Sequence, residues 1–115
     1  MDTEFNTKLN ALSDKYPNLF PECKYGIVYI GAGWLSILEQ MSEELSQFPD
    51  VSYIQVKEKF GQLRVYCSYT STTPLEIRPI IDKYELMART TCETCGAEGS
   101  IKSKGGWLKC SCEKH

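Results

Sequence analysis

The chain has a single histidine, the terminal His115. If that imidazole is a metal ligand, no second one exists to build a Ser/His/Asp or Cys/His catalytic set. Excess positive charge is also missing. Lys and Arg number 13 against 15 acids, a net charge of −2, which argues against bulk nucleic-acid binding by electrostatics alone. No run approaches the roughly 18 apolar residues of a membrane span. The longest, Gly26-Ile27-Val28-Tyr29-Ile30, is the size of a strand. The acidic start, Met1-Asp2-Thr3-Glu4, has no apolar stretch of the signal-peptide kind. A cytoplasmic location with reduced thiols is therefore expected.

Cysteine is plentiful instead. Six are present, and four fall in the last 24 residues beside the histidine. Cys92 and Cys95 form a C-x2-C pair, Cys112 and His115 a C-x2-H pair, and sixteen residues separate the two. This is the spacing of a four-ligand zinc site. The repeated two-residue gap selects Cys92, Cys95, Cys112 and His115 as ligands, with Cys110 an alternative to Cys112 or His115. Gly96, Gly99, Gly105 and Gly106 provide turns that let backbone N–H groups approach thiolate sulfurs. A closed set of four ligands is a structural staple. A catalytic zinc needs three protein ligands and an open position, so no catalytic residue is assigned. Paired disulfides are the alternative use of an even cysteine count, in a secreted chain.

Charge is unevenly spread. Residues 1–50 hold eight acids and three lysines, a balance of −5, and residues 51–115 hold seven acids and ten basic residues, a balance of +3. At 115 residues the chain is expected to be one α+β domain over 1–90, with a zinc knuckle over 91–115 packed on it. Phe5, Leu9, Leu12 and Tyr16 have helical spacing over 3–16, ended by Pro17. Residues 17–25 read as a loop carrying Cys23. Residues 26–30 read as a short strand. Trp34, Ile37, Leu38, Met41, Leu45 and Phe48 stripe a second helix, 33–48, with Glu39, Glu43 and Glu44 opposite. Gly31-Ala32-Gly33 before that helix is a weak phosphate-binding signal, lacking a third glycine. A tight turn seating Trp34 in the core is the better reading. Residues 71–78 read as a loop. A third helix over 79–90, starting at Pro79, buries Ile80, Ile81, Tyr84, Met87 and Ala88, and leaves Leu86 to face the zinc unit.

The clearest pattern is a hairpin, Val51–Lys59 and Gln62–Tyr69 about a Phe60-Gly61 turn. That register sets Val56 opposite Val65, Ile54 opposite Cys67 and Glu58 opposite Leu63 on the core face. The other face carries Tyr53, Gln55, Lys57, Arg64 and Tyr66, with Lys57 opposite Arg64 and Lys59 at the tip. Like charges opposed across a ladder are unfavourable. They make sense where an anion joins them, with tyrosines beside it to stack on a base.

Gly31-Ala32-Gly33-Trp34, Val56-Lys57-Glu58-Lys59-Phe60-Gly61-Gln62-Leu63-Arg64, and the Cys92–Cys95, Gly106-Trp107 and Cys112–His115 motifs together resemble small uncharacterised proteins of bacteriophages and prophages. The resemblance spans roughly residues 26–115. It supports Cys112 and His115 as ligands, five and eight residues after Trp107. Ala32 stands where the group often has an acid, and Cys110 where a threonine is usual. A phage origin and work in a bacterial cytoplasm are implied.

The expected function is non-enzymatic binding. A homo-oligomer would hold an anionic small molecule, such as a nucleotide signal, on Lys57, Lys59 and Arg64 with Tyr53 or Tyr66 stacking, and so antagonise a host defence system. Two alternatives stand beside it. One is a single-stranded nucleic-acid module that also uses Lys102, Lys104 and Lys109 of the zinc tail. The other is a protein–protein adaptor, with a host defence protein among its partners, working through the acidic helix 33–48 or exposed aromatics. No membrane is expected.

Overall fold

The computed structural model describes residues 3–21 and 27–115, so Cys23 and Gly26 lie outside the described residues. The chain is α+β. Helix α1 runs Thr3–Lys15, and strand β1 is Val28–Tyr29. A 3-10 turn over Ala32–Trp34 leads into α2, Leu35–Leu45. Strands β2 (Ser52–Lys59) and β3 (Gln62–Ser68), helix α3 (Pro74–Ala88), and strands β4 (Ser100–Lys104) and β5 (Trp107–Ser111) follow.

The three-stranded sheet has the order β1-β2-β3. Strand β1 joins β2 in parallel, setting Val28 beside Val56 and Tyr29 beside Lys57. Strands β2 and β3 form the expected antiparallel hairpin. One face of this sheet meets the helices. Leu9, Trp34, Leu38, Met41, Leu45, Val56 and Ile81 are all fully buried there, and Leu19 and Phe20 add to the core from the segment after α1. Strands β4 and β5 make a separate hairpin.

Two expectations need correction. The register breaks between Tyr53 and Gln55, so Tyr53, not Ile54, is the partner of Cys67. A bulge inserts one residue, and a one-residue slip exchanges the faces of a strand. Ile54 is consequently 58% exposed, while Tyr53 is buried at 2%. The Tyr53 hydroxyl meets Ser42 Oγ at 2.8 Å, and its ring packs on Phe20 with centroids 5.0 Å apart. Tyr53 is therefore a core residue and cannot stack on a ligand.

Helix α3 also begins earlier than expected, at Pro74. Thr73 and Glu76 form a reciprocal capping box, with Pro74 in the first turn where a missing N–H costs nothing. Pro79 lies inside the helix rather than at its start. Ile77, Ile81, Tyr84 and Ala88 are the buried stripe, and Met87 is partly exposed. Helix α3 is tied to α2 by Glu44, whose carboxylate accepts from Lys83 Nζ at 2.6 Å and from the Tyr84 hydroxyl.

Asp50, in the turn before β2, gathers the end of the hairpin. Its Oδ2 accepts the N–H groups of Thr70, Ser71 and Thr72 at 2.9, 2.7 and 2.8 Å, and its Oδ1 accepts the Thr72 hydroxyl. The Thr72 hydroxyl first, then the Thr72 amide, hold this carboxyl well below its ordinary value of 3.8. A depressed folded-state pKa contributes stability that is complete above the unfolded value and lost as pH falls toward the folded one. Asp50→Asn is expected to lower the thermal midpoint at neutral pH. The gap to the parent should narrow below about pH 4, over the range in which both chains stay folded. A gap independent of pH would reject the role assigned to this carboxylate.

Candidate functional site

Two sites merit attention, a cluster of sulfur and nitrogen donors and the outer face of the sheet. The first is built by local backbone geometry. Helix α3 stops after Ala88, and Thr91 N–H returns to Ala88 O at 3.2 Å. The chain then folds on itself. Cys92 N–H donates to Ala97 O at 2.7 Å, and Gly96 N–H donates to Cys92 O at 2.8 Å. Gly96 takes φ +83, which a side chain resists. This knuckle presents Cys92 and Cys95. Strand β5 delivers Cys112, and a last turn, with His115 N–H on Cys112 O at 3.3 Å, brings back His115.

The four donor atoms lie within 4.8 Å of one another. Cys112 Sγ is 3.1 Å from His115 Nδ1, Cys92 Sγ is 3.8 Å from the same nitrogen, and Cys95 Sγ is 3.7 Å from Cys112 Sγ. A tetrahedral site with metal–sulfur bonds of about 2.3 Å has sulfur–sulfur edges of roughly 3.8 Å. The donor set fits a metal on size as well as on chemistry. The 3.7 Å separation is also far too long for a disulfide, and the described cysteines are free thiols.

The electrostatics agree. Burial pushes the Cys92 thiol up, but the N–H groups of Cys95, Cys112 and Thr94 outweigh it and bring the thiol down to about 6. His115 lowers Cys112, against burial. For Cys95 the Ala97 N–H favours the thiolate, yet burial and the neighbouring Cys112 and Cys92 win and raise it. Three thiols this close would ionise together only with a cation among them, and the donor set is consistent with a metal site.

Cys110 is not a ligand. It is fully buried, with Sγ 3.3, 3.4 and 3.2 Å from the carbonyl oxygens of Ala88, Arg89 and Thr91. The thiol caps the C-terminal end of α3, and burial raises its pKa. Its place directly opposite Ile101, on the face of the β4–β5 hairpin packed against the core, accounts for this position.

The metal unit is clasped to the rest of the molecule by the glycine–tryptophan turn. Gly33 N–H donates to Glu93 O at 2.7 Å, Gly31 N–H to Glu93 Oε2 at 2.9 Å, and Trp34 Nε1–H to Thr91 O at 2.8 Å. The side chain between the first two cysteines thus takes the position at the start of α2 where a phosphate would bind. The phosphate reading of Gly31-Ala32-Gly33 is thereby replaced. Glycine is required because the backbones touch. A Cβ on Gly33 would stand 2.2 Å from Cys92 O and 2.5 Å from Gly96 N. The hairpin tip makes a second clasp. Phe60 and Gly61 have φ 56 and 78, as a type I′ turn requires, and a Cβ on Gly61 would meet Ile101 and Lys109 at 3.1 and 3.3 Å. Leu86 is 65% exposed, borders the same open groove as Ile101, and does not seal the unit.

The second site is the outer face of the sheet. Lys57 does pair with Arg64, Gln55 with Tyr66 and Lys59 with Gln62. Lys57 Nζ lies 5.7 Å from the centre of the Tyr66 ring, and Lys59 Nζ lies 5.5 Å from that of Phe60. Arg64 donates to Gln62 Oε1 at 3.4 Å, and its Nε is buried without a partner. None of the three cations is paired with a carboxylate among the described residues. Tyr29, which sequence reasoning missed, extends this face because β1 sets it beside Lys57. Only the parallel pairing, invisible in the sequence, reveals it.

No helix of the described residues is long and apolar enough to cross a membrane. Compared with protein-family models, curated proteins and solved structures, the chain matches none of them.

Proposed function

We propose that this is a zinc-stapled binding protein rather than an enzyme, and that the outer sheet face holds a nucleotide-type anion. Zinc suits three thiolates and an imidazole in a closed tetrahedral set better than harder cations do. With all four positions filled by protein, the metal has a structural role.

The observation that carries the binding reading is the Lys57–Arg64 pair. Two cations directly opposed across a ladder repel each other and, among the described residues, have no acid to relieve them. The Arg64 Nε adds a buried donor without an acceptor. A phosphate resolves both, and Tyr66 beside the pair offers a ring for the base. The resemblance to phage-encoded proteins supports work in a bacterial cytoplasm. There, a binder without catalytic groups acts by sequestration, as an antagonist of host defence that signals through nucleotides.

The test is fluorescence anisotropy with a fluorescently labelled adenosine nucleotide. Replacing Lys57 and Arg64 with alanine is expected to weaken binding at least about tenfold, since each charged hydrogen bond is worth about 1.5–3 kcal/mol. The thermal midpoint should hold or rise as the like-charge contact is removed. Equal affinity for parent and double variant would reject the site.

A further inference from the structure

We infer that the outer sheet face takes a single-stranded stretch of nucleic acid, with separate bases on Tyr29 and Tyr66 and the intervening phosphates on Lys57 and Arg64. This rests on the reading of that face as a nucleotide site and specifies its ligand.

The argument starts from strand register. Tyr29, Lys57 and Arg64 lie side by side on β1, β2 and β3, in one row across the sheet. Tyr66 stands in the next row of the same face, opposite Gln55. Strands lie about 4.8 Å apart, and same-face neighbours along a strand are about 6.8 Å apart. Tyr29 and Tyr66 are therefore roughly 12 Å apart at the backbone, on either side of the cations. One nucleobase cannot meet both rings. A ligand using the whole face needs a base, a phosphate and a second base in sequence.

Exposure supports the same order. Tyr29 is 57% exposed and Tyr66 47%, so each offers a ring to solvent, whereas Lys57 and Arg64 between them are half-buried. The described part of this face carries no acid: its rows are Tyr29, Lys57 and Arg64, then Gln55 and Tyr66, then Lys59 and Gln62. The last row leads to Phe60, which is 60% exposed and held at φ 56, a conformation unfavourable to an aromatic residue. The face thus continues, cationic and aromatic, to the hairpin tip.

Shape separates a strand from a small ligand. Three grooves among the described residues border α1 and α2, the C-terminal half of α3, and the Cys/His cluster, and none of these three is lined by Tyr29, Lys57, Arg64 or Tyr66. A free mononucleotide is usually enclosed in a pocket. An open sheet bearing spaced aromatics and cations suits a strand whose bases are splayed onto it. A duplex keeps its bases stacked internally and leaves the rings unused.

The experiment is competition against a labelled oligothymidine of roughly ten residues, and in parallel against the labelled adenosine nucleotide, with adenosine monophosphate, a dinucleotide, unlabelled oligothymidine and a duplex of equal length, on parent, Tyr29→Ala and Tyr66→Ala proteins. Support is an oligonucleotide at least about tenfold tighter than the mononucleotide, a duplex much weaker, and a loss of about five-fold or more for each tyrosine variant. Affinity should fall with salt at a logarithmic slope of roughly −1.4, at about 0.7 for each of the two phosphates contacted by Lys57 and Arg64. If the mononucleotide competes equally and Tyr29→Ala changes nothing, the strand reading is overturned and the nucleotide site stands. A duplex that competes as well as the single strand also overturns it. If no nucleotide or strand binds, both readings fall.

Discussion

Removing the metal with a strong chelator is expected to unfold the C-terminal 25 residues and to destabilise the whole chain. Structural zinc contributes about 10–16 kcal/mol of apparent binding energy in small zinc units, as much as the about 5–15 kcal/mol that holds a typical domain together. Nothing else in residues 91–115 replaces it, because β4 and β5 form a separate two-stranded sheet, and such a hairpin is marginal alone. The loss spreads because the unit is not tethered but built in. Trp34 gives its indole N–H to Thr91, Gly31 and Gly33 give theirs to Glu93, and Cys110 caps α3. Trp34 is completely buried, so it reports the event. Trp107 is already 75% exposed and is best replaced by phenylalanine to isolate the signal. The emission of Trp34 should shift to the red in chelator and return with one equivalent of Zn2+, and Cys112→Ser should reproduce the chelated state. Emission and thermal midpoint unchanged by chelation, with metal shown to be gone, would reject the staple.

The Cys/His donor cluster was legible in the sequence because its geometry is local. Each ligand pair has two residues between its members on a tight turn, so spacing points to the donors, while the choice between Cys110 and Cys112 or His115 needed the structure, which turns Cys110 onto the carbonyls at the end of α3. The helical stripes of Leu9 and Leu12, and of Trp34 to Leu45, were legible for the same reason, since a 3.6-residue period needs no knowledge of the partner. The Lys57–Arg64 pairing followed from the two-residue turn at Phe60-Gly61, and that register held for the hairpin from Gln55 onward. It failed at Tyr53, where a bulge that no residue type announces moved an aromatic from the supposed binding face to the core. Helix α3 began early because the Thr73–Glu76 capping box and Pro74 outrank Pro79 as a start signal. Glu93 and Tyr29 were missed because their roles depend on long-range contacts, one across 62 residues to Gly31 and the other through a parallel strand.

Gly33→Ala is the second change expected to have a large effect, at least about 3 kcal/mol of lost stability, above the usual range for one methyl group inserted into a packed site. The added Cβ would meet backbone on three sides: Cys92 O at 2.2 Å, Gly96 N at 2.5 Å and Glu93 C at 2.7 Å. No flexible side chain stands there to move aside. Relief requires the start of α2 to withdraw from the knuckle, which breaks the Gly33–Glu93 hydrogen bond and pulls on the Trp34–Thr91 bond beside it. Cys92 is itself a contact, so the same displacement should weaken metal affinity and shorten the time the chain retains metal in chelator. Gly105→Asn is the control. That position has nothing within 4 Å of a new Cβ, and asparagine tolerates its φ of +61, so stability should stay within about 0.5 kcal/mol. The comparison also separates a structural clasp from a phosphate loop. In a phosphate loop, Gly33→Ala would leave the thermal midpoint alone and abolish binding of the anion at the start of α2. Here that place is filled by the Glu93 carboxylate, and the expected casualties are the midpoint and the metal together. A Gly33→Ala protein with parent stability and parent metal retention would show that the turn and the knuckle are not in backbone contact.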